Sequence, residues 1–350
     1  FDCADLVISP GFTHVVSSAH GAASDRKYDQ RIGEARPIAE LVAAAAPAGF
    51  DLRLHQIAGI GDQVPLVRHV LDRAAEAVLV IYGDSLLSLD FAALLRFHEA
   101  VRERGAKVTI VSHRPHDLFR AESDDRTYHG ILAIDGERRL TRFEEKPKRT
   151  EITELFHLAN AAVFVCERPL FDEPQFRDAK NFSYDVFEPA VLLPQMPLYA
   201  FDISSGFRMD LGNTERFFDA NLKLLRGELL GPLPGQERSA GVRIGDGTIH
   251  DGASFTPPVL VGNGVRIERD AHIGPGAVIA DHCHIGARAA VRNAVLLEGC
   301  HVGAAAVVDT CVLGPHVRIG AGVTLPAHSV LGAFSVAAGE DWPNWTEELR

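Results

Sequence analysis

Residues 261–302 read VGNGVRIERDAHIGPGAVIADHCHIGARAAVRNAVLLEGCHV, and within and around this stretch an apolar side chain returns at every sixth position. From Ile249 the series runs Phe255, Val261, Ile267, Ile273, Ile279, Ile285, Val291 and Leu297. It then slips by one residue to Leu296, Val302 and Val308, and slips again to Leu313, Ile319, Leu325 and Leu331. Gly, Ala, Asn, Asp, Pro and His fill the positions between, as in IGPGAV, IGARAA and IGAGVT. A six-residue period held over roughly 90 residues is the signature of a parallel β-helix. Each hexad supplies one short strand and one turn, with the aliphatic directed inward and Gly or Asn taking the turn position that needs φ > 0. A solenoid stacks and presents; it does not by itself identify a chemistry.

At 350 residues the chain has room for a second domain ahead of the repeat. Its 35 basic and 47 acidic residues leave a net charge of −12, which argues against nucleic acid or an anionic membrane as partner. The five cysteines (Cys3, Cys166, Cys283, Cys300 and Cys311) form no CxxC pair and read as reduced thiols of a cytoplasmic protein. No segment has the ~20 apolar residues of a membrane span, and FDCADLVISP is not built like a signal peptide. The first residue is Phe, and the N-terminus reads as processed or incomplete.

Ahead of the repeat, AVLVIY (77–82) is a continuous apolar run of the kind found in a strand covered on both faces. It ends in Gly83-Asp84-Ser85. Residues 91–104 predict an amphipathic helix closed by Gly105, and 107–112 the next strand. This βαβ alternation predicts an α/β layer with ligands at the carboxyl ends of its strands, where Asp84 lies. RFEEKPK (142–148) closes a predicted hairpin that turns at Asp135-Gly136, and NAAVFVC (160–166) predicts a further buried strand. RMDLGNTE (208–215) leads into a helix reaching about Arg226, with Asn213 or Thr214 as cap. The expected division is an α/β domain over 1–228, a Gly/Pro-rich linker over 229–240, the β-helix over 241–335 and a tail over 336–350.

Three motifs fall in an order that resembles the sugar-1-phosphate nucleotidyltransferases. They are Tyr82-Gly83-Asp84, then Phe143-Glu144-Glu145-Lys146-Pro147 with Asn160 after it, then residues 209–215, MDLGNTE. The hexads resemble the repeat of left-handed β-helices, which brings the likeness nearest the branch of mannose-1-phosphate guanylyltransferases and glucose-1-phosphate uridylyl- or thymidylyltransferases. The resemblance implies a Rossmann-like mixed sheet followed by a left-handed parallel β-helix. It implies transfer of a nucleoside monophosphate from an NTP to a sugar 1-phosphate, with assembly as a homo-oligomer through the β-helix. Asp84 and Asp210 would hold Mg²⁺, a hard ion suited to one or two carboxylates plus substrate phosphates. Glu145 and Asn160 would contact the sugar, Lys146 its phosphate, and Gly83 would line the substrate site. The family also opens with a glycine-rich loop, bearing Arg and a downstream Pro-Lys, that cradles the triphosphate. No segment here matches it; Ser9-Pro10-Gly11 and Gly59-Ile60-Gly61-Asp62 are poor substitutes. The alternative readings are therefore a catalytically inactive regulatory or scaffold relative, or a hexapeptide-repeat acyltransferase using one of His272, His301, His316 and His328.

Plainer roles compete for the same residues. Asp84 suits a turn or a helix cap, Asp210 a helix N-terminal anion, and Glu144 to Lys146 a solvated charge run. His282-Cys283-His284 has the composition of a metal cluster, but alternation along a strand sends neighbours to opposite sides.

Overall fold

A computed structural model describes residues 77–82, 85–115, 125–211, 214–229, 233–250 and 252–337, helical residues 64–65 and 67–68, and the backbone of strands 4–8, 14–19 and 53–56. Gly83 and Asp84, the two short glycine segments 9–11 and 59–62, the cap residue Asn213 and the tail from 338 lie outside the described residues.

The chain forms two compact units, residues 1–212 and 213–350. The first is built on a mixed sheet. Strands β1 (Ala4–Ile8), β2 (His14–Ala19) and β3 (Arg53–Gln56) lead to β4 (Ala77–Ile81). There follow β5 (Ser85–Leu87), helix α1 (Phe91–Arg102), β6 (Val108–His113), the hairpin β7 (Gly130–Ile134) and β8 (Leu140–Glu145), and the long β9 (Leu158–Glu167). β10 (Leu198–Asp202) and β11 (Arg208–Asp210) complete the unit. The main sheet runs β10-β6-β9-β4-β1-β2-β3. β9 pairs antiparallel with both β4 and β6, so the two strands of the predicted βαβ unit run the same way but are separated by a third. Apolar runs still mark these strands because both faces are covered. One carries Ile110, Leu132, Phe164, Phe182, Phe187 and Leu198 in a single cluster. The other packs Leu79, Val111, Val163 and Val165 with Leu94 of α1.

Helix α1 begins where Asp90 Oδ1 accepts a hydrogen bond from Ala93 N at 2.9 Å. Asp90 is thus the N-cap of this helix. The hairpin turn is longer than predicted. The positive φ falls on Arg138 (65°) rather than on Gly136, and Asp135 Oδ1 accepts from both Glu137 N and Arg139 N.

In the second unit Ile267 pairs in parallel with Ile285, and Ile285 with Val302, 18 and then 17 residues on, followed by Ile319 and Ala337. Three strand faces build a parallel β-solenoid around a continuous core of Val, Ile, Ala, Cys and Leu. At roughly 1.5–3 kcal/mol for each fully buried aliphatic side chain, this column drives the stacking. The phase slips have a local cause. Residues 290–296 and 307–313 form unbroken strands that turn a corner at Asn293 (φ 42°) and Thr310 (φ 54°), which takes one residue fewer than a normal corner. Leu296, not Leu297, is accordingly the inward residue, with Leu296 fully buried and Leu297 half-buried. At the other end of the count Ile249 is 60% exposed.

Helix α2 (Thr214–Leu225) belongs to this second unit, where its buried Ala220, Leu222 and Leu225 face the solenoid side. The two compact units part after residue 212. Part of the predicted linker is ordered: Gln236–Ser239 pairs antiparallel with Val242–Ile244, the first solenoid strand. Cys283 points into the core while His282 turns a corner at φ 59° and His284 faces outward to Glu268, 2.9 Å away.

Candidate active site at the carboxyl edge of the sheet

Asp210 ends β11, and in the antiparallel pairing of β11 with β5 it lies directly opposite Ser85. Ser85 is the next residue in the chain after Asp84, so two segments more than 120 positions apart meet where the sequence placed both metal ligands. Asp210 is a half-buried strand residue, ahead of the helix that begins at Thr214, which removes its reading as a helix N-terminal anion. Among the described residues no three His, Cys, Asp or Glu side chains converge to cage a metal. Asp210 presents one carboxylate at the strand end, and Mg²⁺ is ordinarily held by one or two carboxylates together with substrate phosphates.

The second cluster grows from the β7–β8 hairpin. Gly130 pairs with Glu145 across the ladder, and a Cβ on Gly130 would stand 2.5 Å from Glu145 Oε2 and 2.9 Å from Phe143 Cζ. The absent side chain is what lets the Glu145 carboxylate lie over the partner strand. Lys146 adopts a left-handed turn at φ 52°. Its N donates to His129 O at 3.1 Å, and its O accepts from Arg126 Nη1 at 3.0 Å. Pinned on both sides, the turn holds an exposed ammonium at the strand end. Asn160 sits at an irregularity in β9, where the pairing with β6 shifts and Ala162 takes φ 60°. Asn160 Oδ1 accepts from Ala162 N at 2.9 Å, which fixes the plane of its amide beside the end of β4, and Tyr82 N donates to Ala162 O at 3.0 Å.

Several residues of this edge escaped the linear reading. The π-helix Ser183–Phe187 continues into Glu188 and is anchored by Phe182 and Phe187, whose rings pack 4.7 and 5.1 Å from Phe164. It delivers Ser183, Tyr184 and Glu188 to Glu145: Glu188 Oε1 accepts from Glu145 N at 2.7 Å. Burial raises the Glu145 carboxyl above its ordinary range; the Ser183 hydroxyl and Lys146 oppose this and Glu188 reinforces it. Burial and the same two carboxylates raise the Tyr184 phenol, against Arg126, so it stays protonated as a donor.

A third group lies between these clusters. Arg208, two residues before Asp210 on β11, donates to Ser85 Oγ at 3.1 Å and lies 3.3 Å from His129 Nδ1. The His129 ring packs edge-on against His113, with centroids 5.6 Å apart. Period-two counting from Asp210 and hairpin counting from Glu145 would have pointed to Arg208 and His129. Nothing in the linear pattern marks His113.

A mixed α/β sheet with an acidic strand end, a Glu-Lys-Pro turn and an amide gathered at one edge, joined to a β-solenoid, defines a recognisable class. The chain belongs to the nucleotidyl transferase family, which it matches over residues 26–227, while residues 255–340 match the GMPPB C-terminal domain. It is 29% identical over 222 residues to the mannose-1-phosphate guanylyltransferase of Mycobacterium tuberculosis, covering 62% of this chain and 55% of that protein. It is 24% identical over 257 residues to a glucose-1-phosphate adenylyltransferase of Desulfitobacterium hafniense (60% and 61%). Against a putative mannose-1-phosphate guanyltransferase of Sulfolobus acidocaldarius it is 26% identical over 221 residues (63% and 48%). The chain thus spans about half to three-fifths of the length of these curated relatives. Among the described residues no helix is long and apolar enough to cross a membrane.

Proposed function

We propose that this protein transfers a nucleoside monophosphate from an NTP to a sugar 1-phosphate, giving an NDP-sugar and pyrophosphate, with Mg²⁺ held by Asp84 and Asp210. The observation that carries the reading is the pairing of Asp210 with Ser85, which brings the segment after Asp84 to one carboxylate. Bound there, the metal would supply positive charge against the phosphates of the reacting centre. In this reading the sugar 1-phosphate oxygen attacks the α-phosphorus and pyrophosphate leaves in line, with no protein nucleophile; positioning and charge dominate. Lys146 meets the incoming phosphate from its pinned turn. Glu145 accepts hydrogen bonds from sugar hydroxyls, assisted by Glu188 behind its backbone, and the Asn160 amide supplies a donor. Gly83 lets the substrate approach the backbone at the end of β4.

The reading extends to a cytoplasmic homo-oligomer joined through the β-helix, supported by the exposed apolar side chains of Val330, Phe334 and Val336 on the last coils. Pyrophosphate release is the test, assayed with Mg²⁺ over the four NTPs and a panel of sugar 1-phosphates. Release that depends on both substrates supports the proposal, and none from the full-length protein rejects it. Acyl-CoA consumption in place of pyrophosphate release would instead favour an acyltransferase.

A further inference from the structure

Two aromatic side chains of the π-helix Ser183–Phe187 have opposite fates. Phe187 is fully buried against Phe164, whereas Tyr184 is 49% exposed. The backbone that carries Tyr184 is nonetheless fixed. Asn181 Oδ1 accepts from Ser183 N at 2.8 Å and from Tyr184 N at 3.2 Å. Asp185 Oδ2 accepts from Lys180 N at 2.8 Å and from Asn181 N at 2.9 Å. The phenol end lies within electrostatic reach of Glu145, Glu188 and Arg126. These are the groups that build the Glu145–Lys146 turn: Glu188 Oε1 accepts from Glu145 N at 2.7 Å, and Arg126 Nη1 donates to Lys146 O at 3.0 Å.

A single exposed aromatic on a protein surface needs no explanation. Tyr184 differs in being held rigidly on the segment that also positions Glu145, on a π-helical turn of the kind frequent at functional sites. Ligand sites join an apolar or aromatic wall to a few fixed polar groups, and tyrosine offers a flat apolar body with a hydroxyl at its tip. A pyranose has the matching surface, with hydroxyls around its rim and C–H patches on its faces. Glu145, Lys146 and Asn160 can hold the rim and the phosphate, but none of them is apolar. We propose that Tyr184 is a further sugar-binding residue, whose ring is the platform for a C–H face of a pyranose 1-phosphate while Glu145 and Lys146 hold its hydroxyls and phosphate. This inference rests on the transferase reading above and adds a residue to its sugar side.

The full-length protein is compared with Tyr184→Ala and Tyr184→Phe, varying the sugar 1-phosphate and the NTP in turn. Because Tyr184 is half exposed, both variants are expected to keep the wild-type urea midpoint. Tyr184→Ala should raise KM for the sugar 1-phosphate about tenfold, equivalent to about 1.4 kcal/mol of binding, and leave KM for the NTP unchanged. Tyr184→Phe keeps the ring and should stay close to wild type. An unchanged KM for the sugar in Tyr184→Ala, or an equal rise for both substrates, overturns the inference. So does a loss in Tyr184→Phe as large as in Tyr184→Ala, which would assign the contact to the hydroxyl alone. Saturation-transfer difference NMR with glucose and mannose 1-phosphates gives a second reading that needs no turnover. Irradiating the aromatic protons should carry saturation to sugar C–H protons in the wild type and in Tyr184→Phe, but not in Tyr184→Ala. No transfer in the wild type, or transfer that persists in Tyr184→Ala, overturns the inference. If transfer follows Tyr184 while no sugar 1-phosphate supports pyrophosphate release, the transferase reading fails and Tyr184 stands as a sugar-binding residue.

Discussion

Gly130 and Glu145 face each other across the β7–β8 ladder so closely that a single methyl group on the glycine would collide with the glutamate carboxylate, at 2.5 Å, and with the Phe143 ring, at 2.9 Å. Phe143 is buried in the core and cannot yield freely, so the flexible end of Glu145 gives way. Gly130→Ala is expected to lose about 1–3 kcal/mol of stability through overpacking. It should also raise KM for the sugar 1-phosphate several-fold more than KM for the NTP. Steady-state kinetics with each substrate varied in turn measure the difference; equal effects on both would disconnect Glu145 from the sugar.

The pairing of Ser85 with Asp210 makes a sharper demand. If Asp84 and Asp210 act as one charge-holding unit, Asp84→Asn and Asp210→Asn should each lower kcat by about a hundredfold or more, and the double variant by little beyond either, because residues acting together are not additive. Chelation of divalent cations with EDTA should abolish pyrophosphate release, and added Mg²⁺ should restore it. Single variants whose losses multiply in the double variant would show that the two carboxylates work apart.

The fold was legible where one face of an element repeats and opaque where two distant segments had to be aligned. Hexad spacing reveals the solenoid because an inward position in a stacked coil tolerates only an aliphatic or small side chain, as the buried series from Val261 to Ile319 shows. Where the phase slips it could not be read, since that depends on Asn293 and Thr310 entering φ > 0, which short polar residues tolerate but do not require. In the front unit, runs such as 77–82 and 160–166 announced buried strands without revealing that β9 lies antiparallel between β4 and β6. The site followed the same rule. Lys146 and Glu145 were legible as a contiguous motif, whereas Glu188 reaches Glu145 only through a π-helix and Arg208 meets His129 only through the register of β11 on β5.

The solenoid offers a test of its stacking at Gly274, in the turn after Ile273. There φ is 93°, and a Cβ would stand 2.0 Å from Thr256 O of the preceding coil and 2.6 Å from Val259 Cγ2. Both the backbone conformation and the space exclude a side chain, and the clash is with backbone on one side. Gly274→Ala is expected to cost more than about 3 kcal/mol, against about 1–2 kcal/mol for the same change at Gly322, where φ is also positive (71°) but nothing lies within 4 Å. Urea unfolding followed by circular dichroism compares the two variants; equal losses would mean that backbone strain alone, not coil contact, sets the cost.

His113 should leave its mark on the pH dependence of folding. Burial first, and Arg208 second, lower the folded-state pKa of its imidazole from 6.5 to about 3, while Asp202 pulls weakly the other way. The His129 ring packs edge-on against it, with centroids 5.6 Å apart. In the unfolded chain the ring takes up a proton as the pH falls through 6.5; in the folded protein it stays neutral until about 3. Its contribution to stability is therefore fully present above pH 6.5 and is lost progressively as the pH falls toward 3, at up to about 1.4 kcal/mol per pH unit. Urea midpoints between pH 7.5 and 4.5 should fall more steeply for the wild-type protein than for His113→Gln, which has no proton to gain. The variant is expected to be less stable near neutrality, where it loses the fit of the ring, and to close the gap on acidification. Parallel curves for the two proteins would mean that the His113 ring is solvated and charged in the fold.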